Sequence, residues 1–150
     1  MLFLVAMVLL TSNIMAETIA ATDSRVTFVG RAEVEDGSLR FDWPATYFRV
    51  AFTGKSLAMR VSDNKRNYYA VWVDMPTSAE PTRIVEVKGN DTIIDLVLAA
   101  DVKKSKVKEH QVVIQKRTEA GCGTTTVHAF MTDGRFVQAA PMKERQIEFI

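Results

Sequence analysis

At 150 residues with 47% hydrophobic side chains, the chain has the length of one domain and enough apolar material to bury a core. Nineteen Lys and Arg against eighteen Asp and Glu leave a formal net charge of +1, which gives no electrostatic case for binding nucleic acid or an anionic membrane surface. The single cysteine, Cys122, excludes an intrachain disulfide, and with only His110 and His128 beside it no metal-ligand spacing is present, so neither a metal nor another cofactor is expected.

The chain opens on an apolar run from Leu2 to Leu10, followed by polar residues and the small residue Ala16. The run is shorter than the ~20 apolar residues of a bilayer-spanning helix, so residues 1–16 read as a helical secretory signal peptide, although a basic start is missing. This predicts a secreted or periplasmic protein with no stable membrane insertion after cleavage; an uncleaved anchor or a misplaced start codon is the alternative. Glu17 to Ser24 reads as a polar amino-terminal tail.

Arg25–Val34 reads as a first strand, closed by the turn Asp36-Gly37, and Ser38–Trp43 as a second, broken by Pro44. Phe48, Val50 and Phe52 then alternate with polar or small residues, as do Leu57, Met59 and Val61, and again Tyr69, Val71 and Val73. Period-two alternation rich in aromatic and β-branched residues marks half-buried antiparallel strands. Thr46–Thr53 and Ser56–Ser62 are expected to form a hairpin across Gly54-Lys55, and the polar stretch Asp63–Asn67 a turn into Tyr68–Asp74. Met75–Thr82, with two prolines, reads as a loop. Arg83–Lys88 and Thr92–Leu98 read as two strands around Gly89-Asn90-Asp91, the second apolar enough to be covered on both faces. Ala99–Glu109 holds the one candidate helical turn; its lysines have no interleaved aromatics for base stacking and read as a solvated loop. Gln111–Glu119 and Thr124–Thr132 complete about nine short strands, with a turn at Asp133-Gly134. The fold expected over residues 25–138 is all-β, an antiparallel β-sandwich of jelly-roll type. Residues 139–150 read as a connector followed by a new apolar strand, Ile147–Ile150.

Chemistry is sparse. No G-x-S-x-G elbow or Gly-Asp-Ser block is present, and Gly54-Lys55-Ser56 lacks the upstream glycine of a phosphate-binding loop, with Arg49 in its place. Cys122 between two glycines gives no sign of an activated thiol, and His128, alternating with Val127 and Ala129, reads as a hydrogen-bonded strand histidine. Asn90-Asp91-Thr92 matches a glycosylation acceptor, a triplet too common to carry weight. The aromatics Trp43, Tyr68, Tyr69 and Trp72 admit two readings: a platform that stacks on sugar rings, or core packing. Tyr68 and Trp72 share a strand face opposite Tyr69, so Trp43, Tyr68 and Trp72 are the candidate carbohydrate contacts.

Gly30 to Asp74, GRAEVEDGSLRFDWPATYFRVAFTGKSLAMRVSDNKRNYYAVWVD, resembles the N-terminal domain of carbohydrate esterase family 2. His110–Glu119, HQVVIQKRTE, is similar to that family's H-x-V-x-hydrophobic-x-K-R-T-E strand, and Arg145–Ile150 to the strand that runs into its Gly-Asp-Ser nucleophile block. The resemblance implies a secreted esterase of two modules: a jelly-roll sandwich, then an SGNH-type hydrolase that removes O-acetyl groups from plant cell-wall polysaccharides such as xylan or mannan. There a serine attacks the acetyl carbonyl with a histidine as base. By this likeness the nucleophile falls just after Ile150, and no catalytic residue is assigned within the chain. Ala45-Thr46-Tyr47 departs from the glycine-containing turn usual after the Trp-Pro pair, and Ala139-Ala140-Pro141 is less proline-rich than the usual connector.

The expected function is therefore that of a noncatalytic N-terminal accessory domain of a carbohydrate O-acetyl esterase. Its expected partners are the C-terminal hydrolase domain of the same polypeptide and acetylated plant polysaccharide. The rivals are a free-standing carbohydrate-binding module and a small enzyme using Cys122 or His128. Ile147, Phe149 and Ile150, as the start of a missing parallel sheet, are expected to lie outside the sandwich core.

Overall fold

The computed structural model describes residues 16–141. The expected signal peptide, save Ala16, and the strand Ile147–Ile150 lie outside the described residues. Ten strands follow one another: β1 (Glu17–Ala20), β2 (Thr27–Val29), β3 (Glu33–Glu35), β4 (Ser38–Phe41), β5 (Tyr47–Thr53), β6 (Leu57–Val73), β7 (Arg83–Val97), β8 (Glu109–Lys116), β9 (Thr125–Thr132) and β10 (Arg135–Val137). One helical turn, α1 (Ala99–Val102), sits where the sequence pointed to one.

All pairings are antiparallel, and the strands form one sheet in the order β10-β5-β8-β6-β9-β4-β3, with β1 on β9, β2 on β5 and β7 on β6. The 17-residue β6 makes this arrangement possible. Its first half, through Asp63, pairs with β9, and its last five residues, Tyr69–Val73, pair with β8. The sheet bends between them and folds over its own core. Phe48 on β5 meets Phe130 on β9 edge-on at 5.4 Å, and Phe28 and Phe41 close the cluster, with Phe28 5.0 Å from Phe48. Rings in edge or tilted contact add directional attraction to the burial of apolar area. The molecule is thus all-β, as expected, and is built from one continuous antiparallel sheet curled over its own core.

Four local expectations are corrected. The amino-terminal segment after Ala16 is not a loose tail: β1 pairs with β9 and buries Ile19, while Ala21 joins the core behind it. Arg25–Val34 is two strands, because Gly30 takes a φ of 147° against the Thr46 side chain, where a Cβ would lie 2.8 Å from Thr46 Cγ2. The hairpin across Gly54-Lys55 does not form. β5 and β6 share no ladder, since the backbone N–H groups of Lys55 and Ser56 donate to Asp133 Oδ1 at 2.8 and 3.0 Å and tie the turn to the β9–β10 connection. Finally, Arg83–Lys88 and Thr92–Leu98 are one strand, β7, paired along β6 through several register shifts. Its coverage is uneven: Ile93 is 62% exposed, whereas Leu96 and Val97, side by side, are both fully buried.

Candidate functional site

The alternation that builds the core also fixes what points outward. Trp43 lies just beyond β4, before Pro44, and is 55% exposed. The Arg31 guanidinium sits over its ring at 5.9 Å from the centroid, a cation–π contact that steadies the indole. A cleft of about 330 Å³ opens beside it, walled by Arg31, Glu33, Arg40, Asp42 and Thr124. Tyr68 is 37% exposed on the far half of β6, with its hydroxyl directed at Glu86 Oε1, 3.4 Å away. Trp72 is a different case. It faces out from the sheet, as expected, but the Met75–Thr82 loop folds back over it and Ala79 O accepts from Trp72 Nε1 at 2.8 Å, leaving 7% exposed. Trp72 is a packing residue and leaves the candidate contact set; Tyr69, fully buried, belongs to the core.

The outer face of β4, β9 and the first half of β6 is polar at its β4 end, giving way to Ala58 and Met131 further along. Arg40, Thr126 and Ser62 stand directly opposite one another in register. His128 lies between two serines: Nδ1 is 3.1 Å from Ser38 Oγ and Nε2 2.8 Å from Ser62 Oγ. Ser62 Oγ also donates to Asn90 Oδ1 and accepts from the Asp91 backbone N–H at 2.9 Å. Asn64 exchanges bonds with Thr124, its Oδ1 accepting the Thr124 N–H at 2.8 Å. Asp91 forms an ion pair with Arg60, whose hydrogen bonds hold its carboxyl below the ordinary carboxylate range. A second cleft of about 330 Å³ runs over Ser62, Asn64, Asn90 and Thr126, and it shares Arg40 and Thr124 with the first.

At the elbow of β6 the residues read from the sequence as a polar turn, Asp63–Asn67, are strand, with Asp63 and Asn67 buried beneath this face and Asn64, Lys65 and Arg66 exposed. Asp63 Oδ2 accepts from Asn67 Nδ2 and Thr125 Oγ1, both at 2.7 Å, and Tyr69 donates its hydroxyl to Thr125 Oγ1 at 2.9 Å. Gly123 O accepts a second bond from Asn67 Nδ2. The elbow can be polar because each buried group has a partner. Lys116, also buried, donates from Nζ to the carbonyls of Thr118 and Glu119, and burial lowers its pKa. Burial likewise raises that of the Tyr69 phenol.

The candidate catalytic residues do not converge. His110 is buried and committed to Asp74, its Nδ1 2.7 Å from Oδ2, which pins the start of the loop after β6. Cys122 sits in the short 3₁₀ turn Ala120–Cys122, while the histidine rings are bonded to Ser38, Ser62 and Asp74. The pair that sequence reading missed is Ser62–His128, a hydroxyl and an imidazole brought together from positions 66 residues apart. Their geometry is that of a nucleophile and base. However, Ser62 already has Asn90 and the Asp91 N–H as partners, and a serine rather than a carboxylate meets the far ring nitrogen. This is a structural relay across the sheet face. Among the described residues no group of three or more His, Cys, Asp or Glu side chains is placed to hold a metal ion.

The profile of the family described as Carbohydrate esterase 2 N-terminal matches residues 28–141. The chain belongs to that family. A curated relative, an acetylxylan esterase / glucomannan deacetylase of Cellvibrio japonicus, is 30% identical over 114 residues, which is 75% of this chain but 28% of the relative. The solved structure of a family two carbohydrate esterase from Cellvibrio japonicus shares the fold with a TM-score of 0.70 at 23% identity, over 87% of this chain and 37% of that one. The carbohydrate-binding module CBM36, solved in complex with calcium and xylotriose, shares it more loosely, with a TM-score of 0.51 at 8% identity over 81% of this chain and 99% of that one. The matched span of this carbohydrate esterase 2 N-terminal domain runs from β2 to Pro141, so it includes Trp43, the polar face and the elbow, and omits β1.

Proposed function

We propose that this chain is the noncatalytic N-terminal accessory domain of a secreted carbohydrate O-acetyl esterase. In this reading residues 1–16 direct export, residues 25–138 form a jelly-roll sandwich, and residues 139–150 lead into an SGNH-type hydrolase domain that deacetylates plant cell-wall polysaccharide such as xylan or mannan. The observation that carries it is the family match over residues 28–141 in a chain that spans 28% of an acetylxylan esterase / glucomannan deacetylase relative. The commitment of His110, His128 and Ser62 to structural partners supports assigning the chemistry elsewhere in the polypeptide. The domain braces the hydrolase and touches polysaccharide through its exposed aromatics, Trp43 first, because it is more than half exposed and lines a cleft, and Tyr68 second.

The test is to read the gene beyond the codon for Ile150. A frame that continues into Gly-Asp-Ser and a later histidine block is the expected result. A stop codon there overturns the accessory reading and leaves a free-standing carbohydrate-binding module, the alternative to which the likeness to CBM36 along 99% of its length lends support.

A further inference from the structure

We infer that the polar outer face of β4, β9 and β6 is a second sugar subsite, continuous with the Trp43 cleft, and that the two together hold a run of several rings of a neutral glycan. This deepens the reading of the domain as one that touches polysaccharide and rests on it.

The continuity is geometric. The two clefts share Arg40 and Thr124, and each offers about 330 Å³, the low end of the ~300–1,000 Å³ in which small ligands are held. A pyranose chain presents flat C–H faces and a regular array of hydroxyls, each both donor and acceptor. Trp43 supplies the surface for a C–H face. Asn64, Asn90, Thr124 and Thr126 supply uncharged donors and acceptors for the hydroxyls of the rings that follow, while Ser62, its hydroxyl already holding three partners, fixes Asn90 in place. The charge balance favours a neutral ligand, since Arg40 is paired with Glu33 at 2.7 Å and Arg60 with Asp91.

An outward-facing polar sheet needs no explanation beyond solvation, but this face is also cross-linked. Ser38, His128, Ser62 and Asn90 form one hydrogen-bonded chain from β4 to β7, and Asn64 is locked to the backbone of Thr124. Side chains already fixed in one arrangement lose less rotamer freedom when a ligand arrives, which is the condition for affinity from polar contacts. Thr126, at the centre of the Arg40–Thr126–Ser62 row, and Asn90, at the end of the chain, border the groove directly.

Calorimetry of the 150-residue chain with xylo- and manno-oligosaccharides, from disaccharide to hexasaccharide, tests this. The expected result is an affinity that rises by about tenfold or more between disaccharide and tetrasaccharide. In the double variant Asn90→Ala, Thr126→Ala that rise disappears, while the thermal midpoint and far-UV spectrum show the chain still folded. Trp43→Ala weakens binding of every length. An affinity flat with chain length, or a rise unaffected by the double variant, overturns the second subsite and leaves contact at Trp43 standing. Wild-type protein that binds no length of either series overturns both.

Discussion

The two outer faces of the curled sheet are finished in opposite ways. Over β5, β8 and the end of β6, the outward Trp72 is roofed by its own following loop, and Ala140 N–H reaches back to Gln111 Oε1 on β8. Over β4, β9 and the start of β6, no segment among the described residues closes the surface above Ser62 and Thr126, and polar side chains bond to one another across it. The first face spends its large aromatic on packing; the second leaves Trp43 more than half exposed beside a cleft. The same strand, β6, serves both, which shows that outward alternation alone does not decide exposure. What decides it is whether a connecting loop returns.

Breaking the roof is expected to have the largest effect. Trp72→Ala removes a side chain buried on both sides and orphans Ala79 O, at a cost of about 3–5 kcal/mol in unfolding free energy. Urea titration measures it, and a loss under 1 kcal/mol would mean that the loop does not depend on the indole. Next comes the elbow that joins the two faces. Asp63→Ala leaves the Asn67 amide and the Thr125 hydroxyl short of an acceptor within the core, costing about 2–3 kcal/mol. Thr125→Ala removes one donor to the carboxylate and the acceptor of the Tyr69 hydroxyl but keeps the bonds from Asn67 and the Lys65 N–H to Asp63, so it should cost less; equal losses would show that the network is not centred on the carboxylate.

The halves are also clamped where β1 meets β10, and this clamp titrates. Glu17 accepts from the Phe136 backbone N–H at 2.7 Å and from Arg25 Nη1 at 2.8 Å, and those bonds, the first above all, lower its pKa from the ordinary 4.5. Asp23 is lowered in the same way by Arg25. A carboxyl with a depressed folded pKa stabilises the fold fully above its unfolded value and loses that contribution as pH falls through the folded one. The thermal midpoint should therefore be level around neutrality and fall below about pH 4.5. Glu17→Gln should lower the midpoint at pH 7 and flatten the acid limb, whereas an unchanged acid limb would remove Glu17 from the clamp.

Much of the architecture was legible because period-two alternation reports which face of a strand is apolar. Tyr47–Thr53, Leu57–Val61 and Tyr69–Val73 turned inward as that pattern requires. Alternation says nothing of neighbours, so it assigned β5 to a hairpin with β6 when both pair elsewhere, and it missed β1, whose single inward residue, Ile19, makes no pattern. It also overextended the doubly covered segment: of Thr92–Leu98 only Leu96 and Val97 are fully buried side by side and Ile93 is exposed, while Tyr69–Val73 is buried throughout, its Trp72 under a loop the pattern could not place. At the site, His128 was legible as a hydrogen-bonded strand histidine, but its serine partners lie 90 and 66 residues away. A signal for the polar face was present nonetheless. Arg40, Ser62 and Thr126 hold outward positions of their strands and Thr124 leads into β9, and the absence of any apolar residue among them was open to reading in the same way as the core.

The smallest expected change in stability belongs to the residue with the largest expected effect on binding. Trp43 is 55% exposed and its described ring contact is the Arg31 guanidinium, so Trp43→Ala should move the unfolding free energy by no more than about 0.5 kcal/mol. A residue kept for packing behaves as Trp72 does, with stability falling when it is cut away. A large apolar side chain that contributes little to the fold, held beside a cleft, has its use outside the molecule. Unfolding and polysaccharide pull-down measured on the same two variants separate these cases. Trp72→Ala should lose stability with xylan and mannan retention unchanged under conditions where it is folded, and Trp43→Ala the reverse. If Trp43→Ala destabilises the chain as severely as Trp72→Ala, the two faces are alike and the distinction between a roofed face and a working one fails.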